Sequence, residues 1–258
     1  MARIISIANQ KGGVGKTTTA INLSSCLAAA EKKVLLIDID PQANSSSGVN
    51  VYNHTPSVYE VIIGTREIEE VIIETYMPYL DLLPSNINLV GAEIEMVDMD
   101  GRENILGKKL AKIIDNYDYL IIDCPPSLGL LTLNALSTSN SVLIPVQCEY
   151  FALEGLGQLL NTINIVKQHY NRKLTIEGVL LTMFDIRLRL SKQVADEVRR
   201  YFGEKVFKTM IHRNVKISEA PSFGKPVILY DAVSTGAKNY IALASEILEK
   251  YSKININE

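Results

Sequence analysis

Residues 11–17 form a glycine-rich turn, Lys-Gly-Gly-Val-Gly-Lys-Thr, and they are the residues of this chain best suited to hold an anion. Its three glycines can take backbone conformations closed to other residues, so successive N–H groups can point inward at a phosphate. Lys16 would reach the β- and γ-phosphates of a nucleotide, and the Thr17 hydroxyl would bind Mg²⁺, as in a Walker A loop. The predicted ATP-binding residues of this turn are Gly12, Gly13, Val14, Gly15, Lys16, Thr17 and Thr18.

Three aspartates end apolar, strand-like runs. Asp38 and Asp40 lie two residues apart, so in an extended segment both carboxylates can point toward the phosphate-binding turn. Taken alone, they would be better explained as turn or N-cap residues before Pro41. Asp123 ends the run Tyr119–Ile122, as in a Walker B site, and would hold Mg²⁺ through a water because this ion keeps much of its hydration shell.

These side chains require a sheet whose strand ends converge. Short runs that are apolar nearly throughout, separated by helical segments, are typical of a mainly parallel sheet covered on both faces. We therefore predict one doubly wound α/β domain over residues 1–258, with its site beyond the carboxyl ends of the strands. After the first strand, the predicted strands are Val34–Ile37, Leu80–Leu83, Tyr119–Ile122, Val142–Val146, Ile176–Met183, Val206–Ile211 and Val227–Leu229.

Composition indicates an ordinary globular protein, with 47% apolar residues, 21% charged residues and a formal net charge of -3. A contact with nucleic acid would therefore need a local basic patch. The absence of a signal peptide or a long apolar stretch predicts a cytoplasmic protein. Cys26, Cys124 and Cys148 lack C-x-x-C spacing, which favours buried thiols in a reducing compartment. Residues 57–100 indicate no function.

Gln10 stands where a standard Walker A loop has its first glycine, and Lys11 opens the turn. The resulting K-G-G-x-G-K-T pattern resembles the deviant Walker A box of the ParA/MinD class of P-loop ATPases. The resemblance implies that Lys11 reaches across a sandwich dimer to the ATP of the other copy. Asp38-Ile-Asp40-Pro-Gln resembles the D-x-D-P-Q segment of ParA proteins, which implies that Asp40 orients the attacking water and that Asp38 acts near the Mg²⁺.

Residues 213–226 resemble the R-N-V-x-x-S-E-A-P-S-x-G-x-P signature of the chromosomal ParA/Soj group. The resemblance implies that Arg213 and Asn214 contact ATP and that basic side chains here and after Met183 bind DNA. The residues 145–156 resemble the P-x-x-x-E-x-x-x-L-x-G segment, which implies a helix at or near a dimer interface. For each residue of that segment, a strand exit and helix cap explain the pattern equally well. The candidate DNA-binding residues are Arg187, Arg189, Arg213, Lys216 and Lys225.

The resemblance to this group implies a slow ATPase with ATP and Mg²⁺ as cofactors, which forms a homodimer on ATP binding. The dimer would bind double-stranded DNA non-specifically on the nucleoid, and a ParB/Spo0J-type centromere-binding protein would stimulate hydrolysis. The alternatives are a MinD-like membrane-cycling ATPase, a nitrogenase-reductase-like electron carrier and a nucleotide switch without turnover. The mixed-charge end of the chain argues against the first, the cysteine context against the second, and Asp40 against the third.

Overall fold

A computed structural model of the chain describes residues 2–150 and 156–255. Within these residues, seven strands form one sheet in the order β3-β4-β2-β5-β1-β6-β7. All neighbouring strands are parallel except the edge pair β3 and β4. The predicted mainly parallel sheet is therefore confirmed. The strands are β1 (Arg3–Ile7), β2 (Val34–Asp38), β3 (Ile73–Glu74), β4 (Leu80–Leu83), β5 (Tyr119–Asp123), β6 (Ser141–Gln147) and β7 (Thr175–Thr182).

Helices cover both faces of the sheet. Successive residues of a strand point to opposite faces, so Leu35 and Ile37 belong to one apolar core and Val34 and Leu36 to the other. Helices α3–α8 pack on the first face and α1, α10 and α11 on the second. The described helices are α1 (Lys16–Ala29), α2 (Asn44–Gly48), α3 (Val58–Ile63), α4 (Leu89–Glu95), α5 (Ile105–Leu110), α6 (Leu130–Thr138), α7 (Leu156–His169), α8 (Arg189–Phe202), α9 (Val215–Glu219), α10 (Val227–Tyr230) and α11 (Thr235–Asn255).

Register brings the ends of the three central strands together. Asp123 is paired with Ile7 on one side and with Asp38 on the other. The phosphate-binding turn follows Ile7, so the turn and both aspartates lie at the carboxyl edge of the sheet, as expected for a doubly wound fold.

The predicted strand Val206–Ile211 is wrong. This segment runs beside β7 but pairs with it only in places, through an isolated bridge and through single backbone bonds such as that from the Ile211 N–H to the Leu181 carbonyl (2.9 Å). The N–H groups of Lys208 and Thr209 instead donate to the Glu246 carboxylate of α11. A side chain therefore takes the hydrogen bonds that a neighbouring strand would have accepted.

The predicted strand Val227–Leu229 is also wrong, because these residues form the short helix α10. Pro226 precedes it with φ of -64°, and the Val227 N–H donates to the Asn22 side chain of α1 at 2.7 Å. A short apolar run does not distinguish a buried strand from a buried helical turn, and here the cap supplied by α1 selects the helix.

Residues 57–100, for which the sequence indicated no function, contain both helical and extended structure. Helix α3 begins with a capping box in which Ser57 and Glu60 exchange hydrogen bonds.

The 3₁₀ turns of the described chain lie at residues 68–70, 96–98, 102–104, 114–116, 203–205 and 220–223. Within the described part of the chain, the three cysteines are buried and free, and no helix has the length and apolarity to cross a bilayer.

Candidate active site

The turn before α1 has the backbone of an anion-binding loop. Gly13 and Gly15 have φ of +73° and +91°, conformations that favour glycine. Gly15 is the N-cap of α1 and forms no side-chain cap, and the first turn of the helix contains no acidic residue. The first N–H groups and the positive end of the helix dipole are therefore available to a phosphate.

Lys16 lies beneath this turn, with only 7% of its surface exposed. Its ammonium donates to the Lys11 carbonyl at 3.1 Å. Burial lowers the pKa of Lys16, and attraction from Asp123 and Asp40 opposes that shift. A buried cation with one hydrogen bond of its own retains donors for a phosphate oxygen, because an ammonium has three.

Asp38 and Asp123 are fully buried neighbours on adjacent strands. Asp38 accepts from the backbone N–H and the hydroxyl of Ser46, both at 2.8 Å, and from the Asp40 N–H at 3.1 Å. Asp123 accepts from the Ser45 hydroxyl at 2.7 Å, and its contact with the Thr17 hydroxyl favours the charged form. Burial raises the pKa of both carboxyls, and the Asp38 charge raises that of Asp123 further.

These residues fit a Mg²⁺ ion. The Oδ1 atom of Asp123 is buried without a hydrogen-bond partner among the described residues, and the Thr17 hydroxyl lies beside the same carboxylate. The part of the chain that the structure describes has no cluster of three acidic, histidine or cysteine ligands. One free carboxylate oxygen and one hydroxyl suit an ion that keeps most of its waters and also binds oxygens of a nucleotide, as Mg²⁺ does. Both oxygens of Asp38 already accept hydrogen bonds, which suits an outer-shell position.

Asp40 is held on a turn of fixed shape. Its backbone N–H donates to Asp38, and its Oδ1 accepts from the Gln42 N–H at 2.9 Å. The residue is 7% exposed, and its charge acts on Lys16 and on Asp123. The structure therefore places Asp40 at the edge of the phosphate-binding turn, where its carboxylate can accept a proton or a hydrogen bond from a water.

The turn is anchored from two strands. The Asn9 side chain donates to the Pro145 carbonyl at 2.7 Å and accepts from the Lys11 N–H at 3.0 Å. From the end of β7, the Thr182 hydroxyl donates to the Val14 carbonyl at 2.8 Å. These bonds hold the turn while leaving Gly12 and Gly13 exposed and Lys11 half-buried at the surface.

A cavity of about 370 Å³ opens beside Gly15 and Thr18. Arg213 and Asn214 line it, so the structure brings these two predicted ATP-binding residues next to the turn although they lie two hundred residues away in the chain. The apolar part of the wall offers a surface for a planar ring. The other lining residues are Thr182, Met183, Ile211, His212, Ile217, Ser218, Pro221 and Tyr240.

Three of the candidate DNA-binding residues lie on two neighbouring segments. The Phe184 N–H donates to the Ile211 carbonyl and the Arg213 N–H donates to the Phe184 carbonyl, which brings the segment containing Arg187 and Arg189 beside Arg213. Arg213 pairs with Glu149 at 3.2 Å. Arg187 pairs with Asp185 at 2.6 Å and lowers the pKa of that carboxyl to about 2.

Arg189 is exposed at the start of α8 and forms no ion pair within the described residues. Lys216 pairs with Glu219 at 2.9 Å on α9. Lys225 is exposed next to Gly224, whose carbonyl accepts from the Tyr76 hydroxyl at 2.9 Å. Glu154, part of the predicted interface segment, lies outside the described residues.

Two serines belong to the site although the sequence did not predict them. Ser45 and Ser46 hold the carboxylates of Asp123 and Asp38, and they closely follow the D-x-D-P-Q segment. The sequence pattern that could have indicated them is the run of three serines, residues 45–47, shortly after Asp38 and Asp40. The apolar wall of the cavity carried no comparable signal, since its residues look like ordinary core positions.

The chain resembles proteins that partition chromosomes. The AAA_31 family model, described as an AAA domain, matches residues 2–176. The sporulation initiation inhibitor protein Soj of Bacillus subtilis (strain 168) is 55% identical over 249 residues, covering 96% of this chain and 98% of the relative. The chromosome partitioning protein ParA of Myxococcus xanthus (strain DK1622) is 54% identical over 252 residues, covering 97% and 89%.

A solved structure is also similar over the full length of the fold. The crystal structure of cobyrinic acid a,c-diamide synthase from Mycobacterium smegmatis with bound ADP and magnesium has a TM-score of 0.87 to this chain at 36% identity. The match covers 98% of this chain and 96% of that chain. The likeness extends across the whole sheet and its flanking helices.

Proposed function

The chain belongs to the ParA/Soj family of chromosome-partitioning ATPases, and on this premise we propose that ATP drives two copies into a sandwich dimer that binds DNA without sequence preference. The chain is an ATPase that uses ATP and Mg²⁺. A ParB/Spo0J-type centromere-binding protein stimulates hydrolysis and releases the dimer from the nucleoid. The observation that carries the proposal is the buried Lys16 ammonium beneath an uncapped helix N-terminus, with Asp40 and Asp123 beside it.

Each residue of the site has a separate task. Lys16 and the first N–H groups of α1 bind the phosphates, and Asp40 orients the attacking water. Thr17, Asp123 and Asp38 would hold Mg²⁺, Thr17 through its hydroxyl and the two aspartates by hydrogen bonds to the waters that this ion keeps. The metal, when bound with the nucleotide, neutralises part of the phosphate charge. Lys11 adds a positive charge from the opposite copy.

The dimer face is formed by the exposed side of the phosphate-binding turn. A Cβ atom built on Gly12 meets no atom within 4 Å, and Gly12 has an ordinary negative or extended φ rather than the positive φ of Gly13. Larger side chains at position 12 therefore fit the single chain and project from its surface. In a sandwich, the same side chain would enter the space that the second copy must occupy.

Gly12→Val is expected to abolish ATP-dependent dimerisation while the variant folds normally and binds ATP as a monomer. Sedimentation velocity with ATP, in the Asp40→Ala background to slow hydrolysis, measures the dimer, and a fluorescent ATP analogue measures affinity. Gly12→Ala serves as the smaller control and should retain more dimer. ATP-dependent dimers in Gly12→Val would contradict the sandwich arrangement.

A DNA-binding surface is supported by the position of the basic residues. Arg189 and Arg213 are exposed, and the segment of Arg213 also lines the cavity beside Gly15. The exposed cations of this region contact phosphates rather than base edges, so binding should ignore sequence and weaken with salt. Because only the dimer brings two such surfaces together, ATP controls the affinity.

The experiment that tests the function is retention on non-specific duplex DNA with ATP, ADP or no nucleotide at several salt concentrations. We expect retention only with ATP, and stronger retention by Asp40→Ala. Arg189→Ala should weaken binding and lower the slope of log affinity against log salt by about one for each phosphate that the variant no longer binds. Arg172→Ala, an exposed arginine at the opposite end of β7, is the matched control. Equal retention in all nucleotide states would contradict the proposal.

A further inference from the structure

Helix α4 has an apolar stripe that faces solvent. Ile87, Val90, Ile94 and Val97 are 64%, 54%, 74% and 50% exposed. Ile87 lies in the turn that leads into α4, and Val97 in the 3₁₀ turn that follows it. Their spacing of three, four and three residues places the four side chains along one side. These four residues, here the α4 stripe, span about 15 Å. An exposed row of large aliphatic side chains is typical of an interaction surface.

The opposite side of α4 is already used for folding. Leu89, Ala92 and Met96 are fully buried in the core on the first face of the sheet. The helix therefore cannot turn to bury the α4 stripe without exposing these three residues. Its apolar residues on two sides indicate two packing partners, of which the sheet is one.

The sequence that contains the α4 stripe is acidic. Residues 67–101 contain nine acidic residues and no lysine, arginine or histidine. Glu95 and Asp98 are exposed on the same helical segment. The basic residue that follows, Arg102, pairs with Glu103 at 3.5 Å and donates to the Val97 carbonyl. The exposed carboxylates of Glu95 and Asp98 therefore form a negative border on the same segment as the apolar row.

The negative charge beside the α4 stripe favours some binding partners over others. A second copy docked by twofold symmetry would place one acidic border against the other, which is unfavourable. DNA and anionic lipid headgroups are repelled for the same reason. A basic amphipathic helix matches both properties, because its apolar residues at i, i+3 or i+4, and i+7 meet the row while its lysines or arginines meet the border.

One end of the α4 stripe reaches the candidate active site. Ile87 lines a cavity of about 320 Å³ together with Gln42 and Ser85. The Ser85 hydroxyl is buried and has no hydrogen-bond partner in the described part of the chain. The Ser85 N–H donates to the Ser46 hydroxyl at 3.0 Å, and that hydroxyl donates to Asp38. A segment bound here could contact Ser85, which is two hydrogen bonds from the Asp38 carboxylate.

We propose that the α4 stripe is the docking surface for a basic amphipathic helix of the partner protein that activates hydrolysis. The inference rests on the proposed function, since it assigns a surface to the partner named there. It gives a role to residues 87–98, which lie in the segment for which the sequence indicated none.

The test uses the full chain and a designed probe, a fluorescein-labelled helical peptide of about 18 residues with leucines on one side and lysines on the other. Fluorescence anisotropy measures its affinity for the nucleotide-free protein. Ile94→Ser should weaken binding about tenfold or more, as expected for a central apolar anchor. Glu95→Gln combined with Asp98→Asn should weaken binding and reduce its dependence on salt. Ile241→Ser, at an exposed isoleucine of α11, is the control and should change nothing.

Equal peptide affinities of wild type and Ile94→Ser would overturn the proposal, as would an absence of binding to the wild type. A nucleotide-free dimer that dissociates in Ile94→Ser, with peptide affinity unchanged, would assign the surface to a second copy and also overturn it. Phosphate release without peptide, measured in parallel, tests the ATPase itself. Protein that hydrolyses no ATP but binds peptide through Ile94 would refute the proposed function and leave the docking surface standing.

Discussion

Asp40→Ala is expected to lower the rate of ATP hydrolysis by about 10²- to 10⁴-fold while ATP still binds. The Asp40 carboxylate is buried, and bonds to Asp38 and Gln42 fix its turn, so no other residue can move into its place without rebuilding that turn. The phosphate-binding turn and Lys16 remain intact in this variant. Single-turnover phosphate release measures the rate, and a fluorescent ATP analogue measures the affinity.

Asp40→Asn separates the charge of the carboxylate from its role in the turn. Asparagine can still accept the hydrogen bond from the Gln42 N–H, so the local structure should persist while the ability to accept a proton from water is lost. We expect this variant to be nearly as slow as Asp40→Ala. Asp115→Ala, an exposed aspartate, is the control. Hydrolysis at the wild-type rate in Asp40→Asn would show that the side chain acts only through the shape of the turn.

Lys16→Ala is expected to weaken ATP binding by about 10²-fold, the equivalent of about 2.7 kcal/mol. The lysine is buried, so solvent screens its charge poorly, and its bond to a phosphate oxygen is of the strong, charge-assisted kind. Its removal also leaves Asp40 and Asp123 without the nearby cation. Titration with the fluorescent ATP analogue measures the loss, and a thermal unfolding curve without nucleotide shows whether the variant is folded.

Lys11→Ala is the matched control for Lys16→Ala. The Lys11 side chain is half-buried at the surface, and its carbonyl, which accepts from Lys16, is retained in the variant. We therefore expect Lys11→Ala to bind ATP as a monomer with nearly normal affinity and to lose activity only in the dimer. Equal losses of ATP affinity in the two lysine variants would contradict the separate tasks given to them.

Much of the candidate site could be predicted because each of its parts is marked by a short local pattern. A glycine-rich turn must follow a strand and precede a helix to bind a phosphate, so residues 11–17 also predict β1 and α1. The aspartates at positions 38 and 123 end apolar runs, and in a parallel sheet such ends meet at one edge. The register of β2 and β5 then pairs the two residues directly.

The remaining parts depend on contacts between distant residues. Val227 begins a helix because Asn22 caps it, and the 206–211 segment is not a full strand because Glu246 binds its N–H groups. Neither partner is marked by any local pattern. The α4 stripe is similar, since alternating apolar and acidic residues around Ile94 do not indicate which side the sheet will bury.

Arg213 belongs both to the wall of the cavity beside Gly15 and to the exposed basic region next to the 184–189 segment. Two ligands that contact one segment influence each other's affinity through thermodynamic linkage, and the influence is reciprocal. If ATP raises the affinity for DNA, as proposed above, DNA must raise the affinity for ATP by the same factor. Bound DNA would then increase the affinity of the protein for ATP, and the protein would keep its ATP on the chromosome until hydrolysis ends the association.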